Sequence, residues 1–285
     1  MTRCIAFHSY KGGSGKTTIA SNLSAMLALR GFKVSLLDLD VYAPSLHAYF
    51  DHSPTNWIND YLHDRAKVAD VLVDMTYRIT QYAKSSTNQS GKLWVGFSNP
   101  DKDAVIKLEG EAKQQSERIG LLRKFIQLRE ILISEFDCDY IIIDTSPGIR
   151  YWSINSLAIA DTLILTLKFD KLDINGTKKM AHDIYDSLKK LGAKSFLLPN
   201  RMSGYCVPHT PILSETSQGS SFSQLNATSI SSLLSNEIGM EIIAAIPCYC
   251  DIQFSTDEFL SVLRYPDHPF AKQLEKLAGA NQLEI

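Results

Sequence analysis

Seven short apolar runs recur along the chain, and helical periodicity fills much of the sequence between them. Residues 3–8, carrying Cys4-Ile5-Ala6-Phe7, predict a first strand. Ile19, Leu23, Met26 and Leu27 then fall at helical spacing and predict a helix over 16–30, stopped at Gly31. Lys33–Leu39 is an apolar run bounded by Gly and Pro, long enough for a buried parallel strand. Further strands are predicted at 93–97, 140–144, 161–167, 195–199 and 242–246, and helices at 119–136, 176–191, 230–238 and 270–277. Shorter helical pieces are expected near 45–50, 56–64 and 68–75. The polar run 84–91, the charged stretch 101–115 and the Ser/Thr/Gly/Pro-rich 203–228 read as loops. Strands alternating with helices predict an α/β fold: a doubly wound, mostly parallel sheet of seven to eight strands with helices on both faces. The expected organisation is one domain over 1–285, with insertions near 50–118 and 203–228.

Composition narrows this only a little. The 285 residues are 45% hydrophobic and 21% charged, with 29 basic against 31 acidic side chains and a formal charge of −2. That is an ordinary globular balance, with no overall basic excess to draw nucleic acid. No apolar run is long enough to span a bilayer, and 1–8 reads as a core strand rather than a signal peptide. Five cysteines, an odd number, predict reduced thiols and a cytoplasmic setting.

The chemistry concentrates at the C-terminal ends of the predicted strands. After the first comes His8-Ser9-Tyr10-Lys11-Gly12-Gly13-Ser14-Gly15-Lys16-Thr17-Thr18. Strand, glycine loop and helix in that order form a phosphate cradle: backbone N–H groups turn around an anion, and the helix N-terminus adds partial positive charge. Lys16 is expected to neutralise terminal phosphates and Thr17 to hold Mg²⁺. The second strand delivers Asp38 and Asp40 to the edge where ligands sit in such sheets, and also where a turn before Pro44 would use them. Tyr140-Ile141-Ile142-Ile143-Asp144 is an apolar strand ending in a carboxylate able to complete a metal shell with Thr17.

Lys-Gly-Gly-x-Gly-Lys-Thr-Thr resembles the deviant Walker A loop of the Min/Par ATPases, a P-loop NTPase family that also includes iron–sulfur and nickel carriers. The resemblance implies that Lys11 reaches across a dimer interface to the partner's phosphates, so that ATP brings two copies together. Asp-x-Asp followed by Pro-Ser resembles the segment in which a residue at the place of Asp40 positions the attacking water, with Asp38 near the magnesium shell. Asp144-Thr145-Ser146-Pro147-Gly148 resembles the family's switch II, whose glycine amide, here Gly148, reports the γ-phosphate. Asn200-Arg201 resembles its adenine site, and Ile246-Pro247 the segment packing beside the base. The implied cofactors are ATP and Mg²⁺, bound by Gly12, Gly13, Ser14, Gly15, Lys16, Thr17, Thr18, Gly148, Asn200, Arg201 and Pro247. Lys11, Lys16 and Asp40 are the implied catalytic residues, and Thr17, Asp38 and Asp144 the metal group. The implied function is a slow ATPase switch that positions or partitions a cargo and is activated by an unidentified partner protein.

Two alternatives stand beside it. Cys248 and Cys250, one residue apart, would make a four-thiolate metal site if a dimer doubled them, as in a metal or iron–sulfur maturation ATPase. A nucleotide-binding regulator with negligible turnover is the other. Lys178, Lys179, Lys189, Lys190 and Lys194 read as a solvated helix face in preference to a DNA contact. The charge-balanced tail 271–277 predicts no membrane anchor. Cys4, Cys138, Cys206, His8, His209 and His268 show no ligand-like spacing.

Overall fold

A computed structural model describes residues 2–82, 91–101, 115–190, 192–202, 227–253, 255 and 259–280. Most of the three predicted loops, with Cys206 and His209, lies outside the described residues. Eight strands form one continuous sheet: β1 Arg3–His8, β2 Lys33–Leu39, β3 Leu72–Asp74, β4 Lys92–Gly96, β5 Tyr140–Thr145, β6 Thr162–Leu167, β7 Lys194–Met202 and β8 Ile246–Pro247. Their spatial order is β3-β4-β2-β5-β1-β6-β7-β8, parallel throughout except for the edge pair β3–β4. The chain leaves β1 toward β2 and β4, then returns through β5 and winds the other way through β6 to β8. That reversal opens a crevice at the C-terminal ends of the central strands.

Alternation along β1 divides the core. Cys4 and Ala6 face one hydrophobic layer, with the helices Gln115–Ser134 and Tyr151–Leu157 packing on it through Phe125, Leu128 and Trp152. Ile5 and Phe7 face the other, built on α1 (Lys16–Leu29) and the C-terminal helix Pro269–Ala278. Asn22 on α1 ties the two pieces of that second layer. Its Nδ2 donates to the Phe259 carbonyl at 2.8 Å, and its Oδ1 accepts the Val262 amide at 3.1 Å.

Local expectations differ from the structure in four places. The helix expected at 68–75 ends at Val71, because Leu72–Asp74 pairs antiparallel with β4. The edge of a sheet overrides a weak helical pattern there. The expected 50–118 insertion therefore contributes β3 and β4 to the sheet itself. The helix expected at 176–191 starts at Lys171, where the Asp170 carboxylate caps it by accepting the Asp173 amide, and it passes through one π turn at Ala181–Tyr185. β7 continues through Asn200 and Arg201 to Met202, and of the run 242–246 only Ile246 lies in a strand, Ile242 making an isolated bridge to Leu197.

Candidate nucleotide site

β1 ends at His8, and residues 9–15 turn back into α1 around the crevice. Gly13 (φ 73°) and Gly15 (φ 90°) adopt the left-handed region that the turn requires. Gly15 is further constrained, since a Cβ there would overlap the Asn200 side chain. Ser14 is anchored from below by a 2.8 Å contact between its hydroxyl and that of Thr166 on β6. Lys16 is nearly buried, its Nζ donating to Ser9 Oγ at 2.9 Å, while Ser9 Oγ donates to the Lys11 carbonyl. Burial pulls the Lys16 pKa down, and the charges of Asp144, Asp40 and Asp173 oppose that.

Parallel register places Asp38 directly beside Asp144. Thr17 Oγ1 donates to Asp144 Oδ2 at 2.6 Å, bringing two of the three expected metal residues into contact. Asp144 Oδ1 is buried and has no hydrogen-bond partner among the described residues. Burial pushes the Asp144 carboxyl up to about 7, partly offset by the Lys16 charge and the Thr17 hydrogen bond. An unpartnered carboxylate oxygen and a hydroxyl, both hard donors beside further carboxylates, fit a small divalent cation.

Asp38, beside Asp144 in the sheet, also shapes the turn that follows its own strand. Its Oδ1 accepts the Asp40 amide, and its Oδ2 accepts the amides of Ser45 and Leu46. Its carboxylate folds the turn after β2, while burial first, and then Asp144 and Asp40, raise its pKa well above the usual range. Asp40 holds the same turn by one bond, the Ala43 amide to its Oδ1 at 3.1 Å, and that oxygen also accepts the Ser146 hydroxyl at 2.7 Å.

Gly148 (φ 81°) donates its amide to the Ser9 carbonyl at 2.8 Å, so this segment is tethered to the phosphate loop. Below it, His8 Nδ1 lies 2.7 Å from Thr145 Oγ1, whose own proton goes to the Phe7 carbonyl. The ring must therefore donate through Nδ1. Burial, helped by Lys16, holds its pKa down at about 3 and keeps it neutral.

A cavity of about 180 Å³ opens beside the loop, lined by Gly15, Thr18, Asn200, Arg201 and Pro247 among others. The expected base-binding residues Asn200, Arg201 and Pro247 thus line one cavity with the phosphate loop, and Asn200 meets Ser14 across 186 positions of sequence. Asn200 Nδ2 donates to the Ser14 carbonyl at 2.7 Å and so joins cavity to loop. Arg201 takes a left-handed φ of 57° at the strand end. Tyr49 and Phe259 form a wall the sequence did not indicate, their ring centroids 4.9 Å apart, with the Tyr49 hydroxyl 2.6 Å from Thr18 Oγ1. Cys248 and Cys250 flank Tyr249, which lines this cavity, and are half-buried and exposed respectively, with no disulfide. Among the described residues no group of three or more His, Cys, Asp or Glu side chains is arranged to hold a metal ion. The five lysines of the possible DNA face are all exposed, and no helix among the described residues is long and apolar enough to cross a membrane.

A phosphate loop at the sheet's switch point, facing strand-end carboxylates and a base-sized cavity, defines the class as P-loop nucleotide-binding α/β proteins. Residues 2–195 match the AAA domain family, and the chain belongs to it, as a MinD/ParA-type P-loop ATPase. It is 26% identical over 187 residues to the sporulation initiation inhibitor protein Soj of Bacillus subtilis, covering 65% of each chain. It is 32% identical over 146 residues to an iron–sulfur cluster carrier protein of Aquifex aeolicus, covering 50% of this chain and 32% of the relative. The chain therefore spans about two thirds of one relative's length and about a third of the other's. The septum site-determining protein MinD of Pyrococcus horikoshii, complexed with Mg-ADP, shares the fold at a TM-score of 0.68 and 22% identity, covering 98% of this chain and 95% of that one.

Proposed function

We propose that this chain is a Mg²⁺-dependent ATP-binding and ATP-hydrolysing switch of the cytoplasm, in which ATP brings two copies together to position or partition a cargo. The observation that carries the reading is the continuous set of contacts from cavity to metal group. Asn200 bonds Ser14 of the loop, Lys16 and Thr17 follow two and three residues on, and Thr17 bonds Asp144.

Thr17 and Asp144 are the residues that would hold Mg²⁺, which when bound supplies positive charge to the phosphate oxygens. The amides of Gly12, Gly13, Ser14, Gly15 and Thr18 cradle the phosphates. Lys16 transfers its Nζ from Ser9 to the terminal phosphates, and the Gly148 amide exchanges the Ser9 carbonyl for the γ-phosphate. Lys11, by its resemblance, reaches the phosphates of the second copy. Asp40 orients the attacking water. Asn200, Arg201 and Pro247 receive the adenine, with Tyr49 and Phe259 closing the wall. Because the Lys11 contact comes from the partner copy, turnover is slow until an activating protein steadies the pair.

Asp40→Ala, with hydrolysis blocked, is expected to double in mass in saturating Mg-ATP and to remain a monomer in Mg-ADP, read by size-exclusion chromatography with light scattering. A monomer in both nucleotides defeats the dimer switch.

The iron–sulfur carrier likeness and the neighbouring Cys248 and Cys250 favour one second reading, metal loading at a doubled cysteine pair. It needs four thiolates from two copies. Metal analysis of the purified protein separates the two functions: on the switch reading Cys248→Ser leaves both metal content and ATP turnover unchanged.

A further inference from the structure

The structure assigns Ser146, the variable position of the Asp-Thr-x-Pro-Gly segment, as a positioning residue that aims the Asp40 carboxylate. The inference rests on the reading of Asp40 as the group that orients the attacking water.

Ser146 is fully buried and its hydroxyl has one proton, which goes to Asp40 Oδ1 at 2.7 Å. The Ala43 amide reaches the same oxygen at 3.1 Å. Two donors converge on Oδ1, while Oδ2 accepts no hydrogen bond among the described residues. A carboxylate held by one oxygen presents the other in a fixed direction, which is the requirement for steering a water molecule.

Ser146 is itself held so that its hydroxyl has little freedom. Its carbonyl accepts the Ser153 hydroxyl at 3.0 Å. Thr145, one residue earlier, is pinned to the Phe7 carbonyl. Ser146 also lies two residues from Asp144 and two from Gly148, so the group that aims Asp40 belongs to the segment that bonds Thr17 and the phosphate loop. Displacement of Gly148 from its Ser9 tether therefore reaches Asp40 through one short hydrogen bond. Alanine at 146 would leave Asp40 with the Ala43 amide alone and a rotatable carboxylate.

The test is a cycle of four proteins, wild type, Ser146→Ala, Asp40→Ala and the double variant, with Ser146→Cys as a same-sized side chain that donates poorly. Phosphate release is measured in single turnovers, and the affinity of a non-hydrolysable ATP analogue is measured alongside. Ser146→Ala and Ser146→Cys are each expected to lower the hydrolysis rate by roughly tenfold to a hundredfold. Analogue affinity should stay within about twofold, and the Ser146 change should add no further loss in the Asp40→Ala background. An unchanged rate in both Ser146 variants, or the same fold-loss with and without Asp40, overturns the assignment. Weakened analogue binding in step with the rate overturns it too, since that marks a merely structural role. If Asp40→Ala itself hydrolyses ATP at the wild-type rate, the underlying reading of Asp40 fails instead, a different and separately visible result.

Discussion

Lys16→Ala is expected to lower ATP turnover by roughly a hundredfold to a thousandfold, the cost of removing one preorganised charge donor from a reacting centre. Lys16 is nearly buried at the floor of the loop, and among the described residues its Nζ has only the Ser9 hydroxyl as a hydrogen-bond partner. Burial alone would favour a neutral amine, but Asp144, Asp40 and Asp173 pull the balance back toward the ammonium. A charge kept in a water-poor place interacts far more strongly with phosphate than one on the surface. The arginine variant should not rescue it, because a planar fork cannot replace a compact ammonium beside Ser9. Phosphate-release assays together with fluorescent-nucleotide titration check this. Turnover within tenfold of wild type would remove the phosphate loop from the mechanism.

Asp144→Asn is expected to act in two opposite directions. Burial holds the Asp144 carboxyl at about 7 in the folded chain, against 3.8 in the unfolded one. Between those values the folded state carries a proton that the unfolded state has lost. Stability therefore falls as pH rises from about 4 to about 7, and the cost is fully present above 7. Asparagine removes it while keeping an oxygen for the Thr17 hydroxyl. The nucleotide-free variant should gain on the order of 2–4 kcal/mol at pH 8, with the gain shrinking toward nothing near pH 4. Mg-ATP should then stabilise the wild type and not the variant, and metal-dependent turnover should be lost. Urea unfolding at pH 4, 6 and 8, with and without Mg-ATP, measures all of this. A variant less stable than wild type at pH 8 would mean that Asp144 serves the fold rather than a cation.

Both variants touch residues whose chemistry is visible in the sequence, and that visibility has limits elsewhere. Glycines before Lys16, Asp144 at the end of an apolar run and the Asp38/Asp40 pair are legible because each is a local consequence of strand, turn and helix. The distinct roles of the two aspartates are not. Both hold the turn, Asp38 through Ser45 and Leu46 and Asp40 through Ala43, but only Asp40 meets Ser146, and no spacing rule encodes the curl of 43–46 over β2. Tyr49 and Phe259 meet from 210 positions apart, brought together by the Asn22 bridge between α1 and the C-terminal segment. β3 was hidden because three residues at a sheet edge carry too little pattern to outweigh a helical neighbour.

The sequence by itself determined the alternation of buried strands and helices, the mostly parallel sheet and the phosphate loop at the end of its first strand. These follow from hydrophobic period and from glycine's freedom at positive φ, which act over a few residues at a time. Only the tertiary structure decided the strand order, the antiparallel edge and which oxygen of each carboxylate is spent. It also decided that Ser146 stands between the metal group and Asp40. Hydrogen-bond partners across 106 positions are chosen by the packing of the sheet as a whole, and the local sequence contains no term for it.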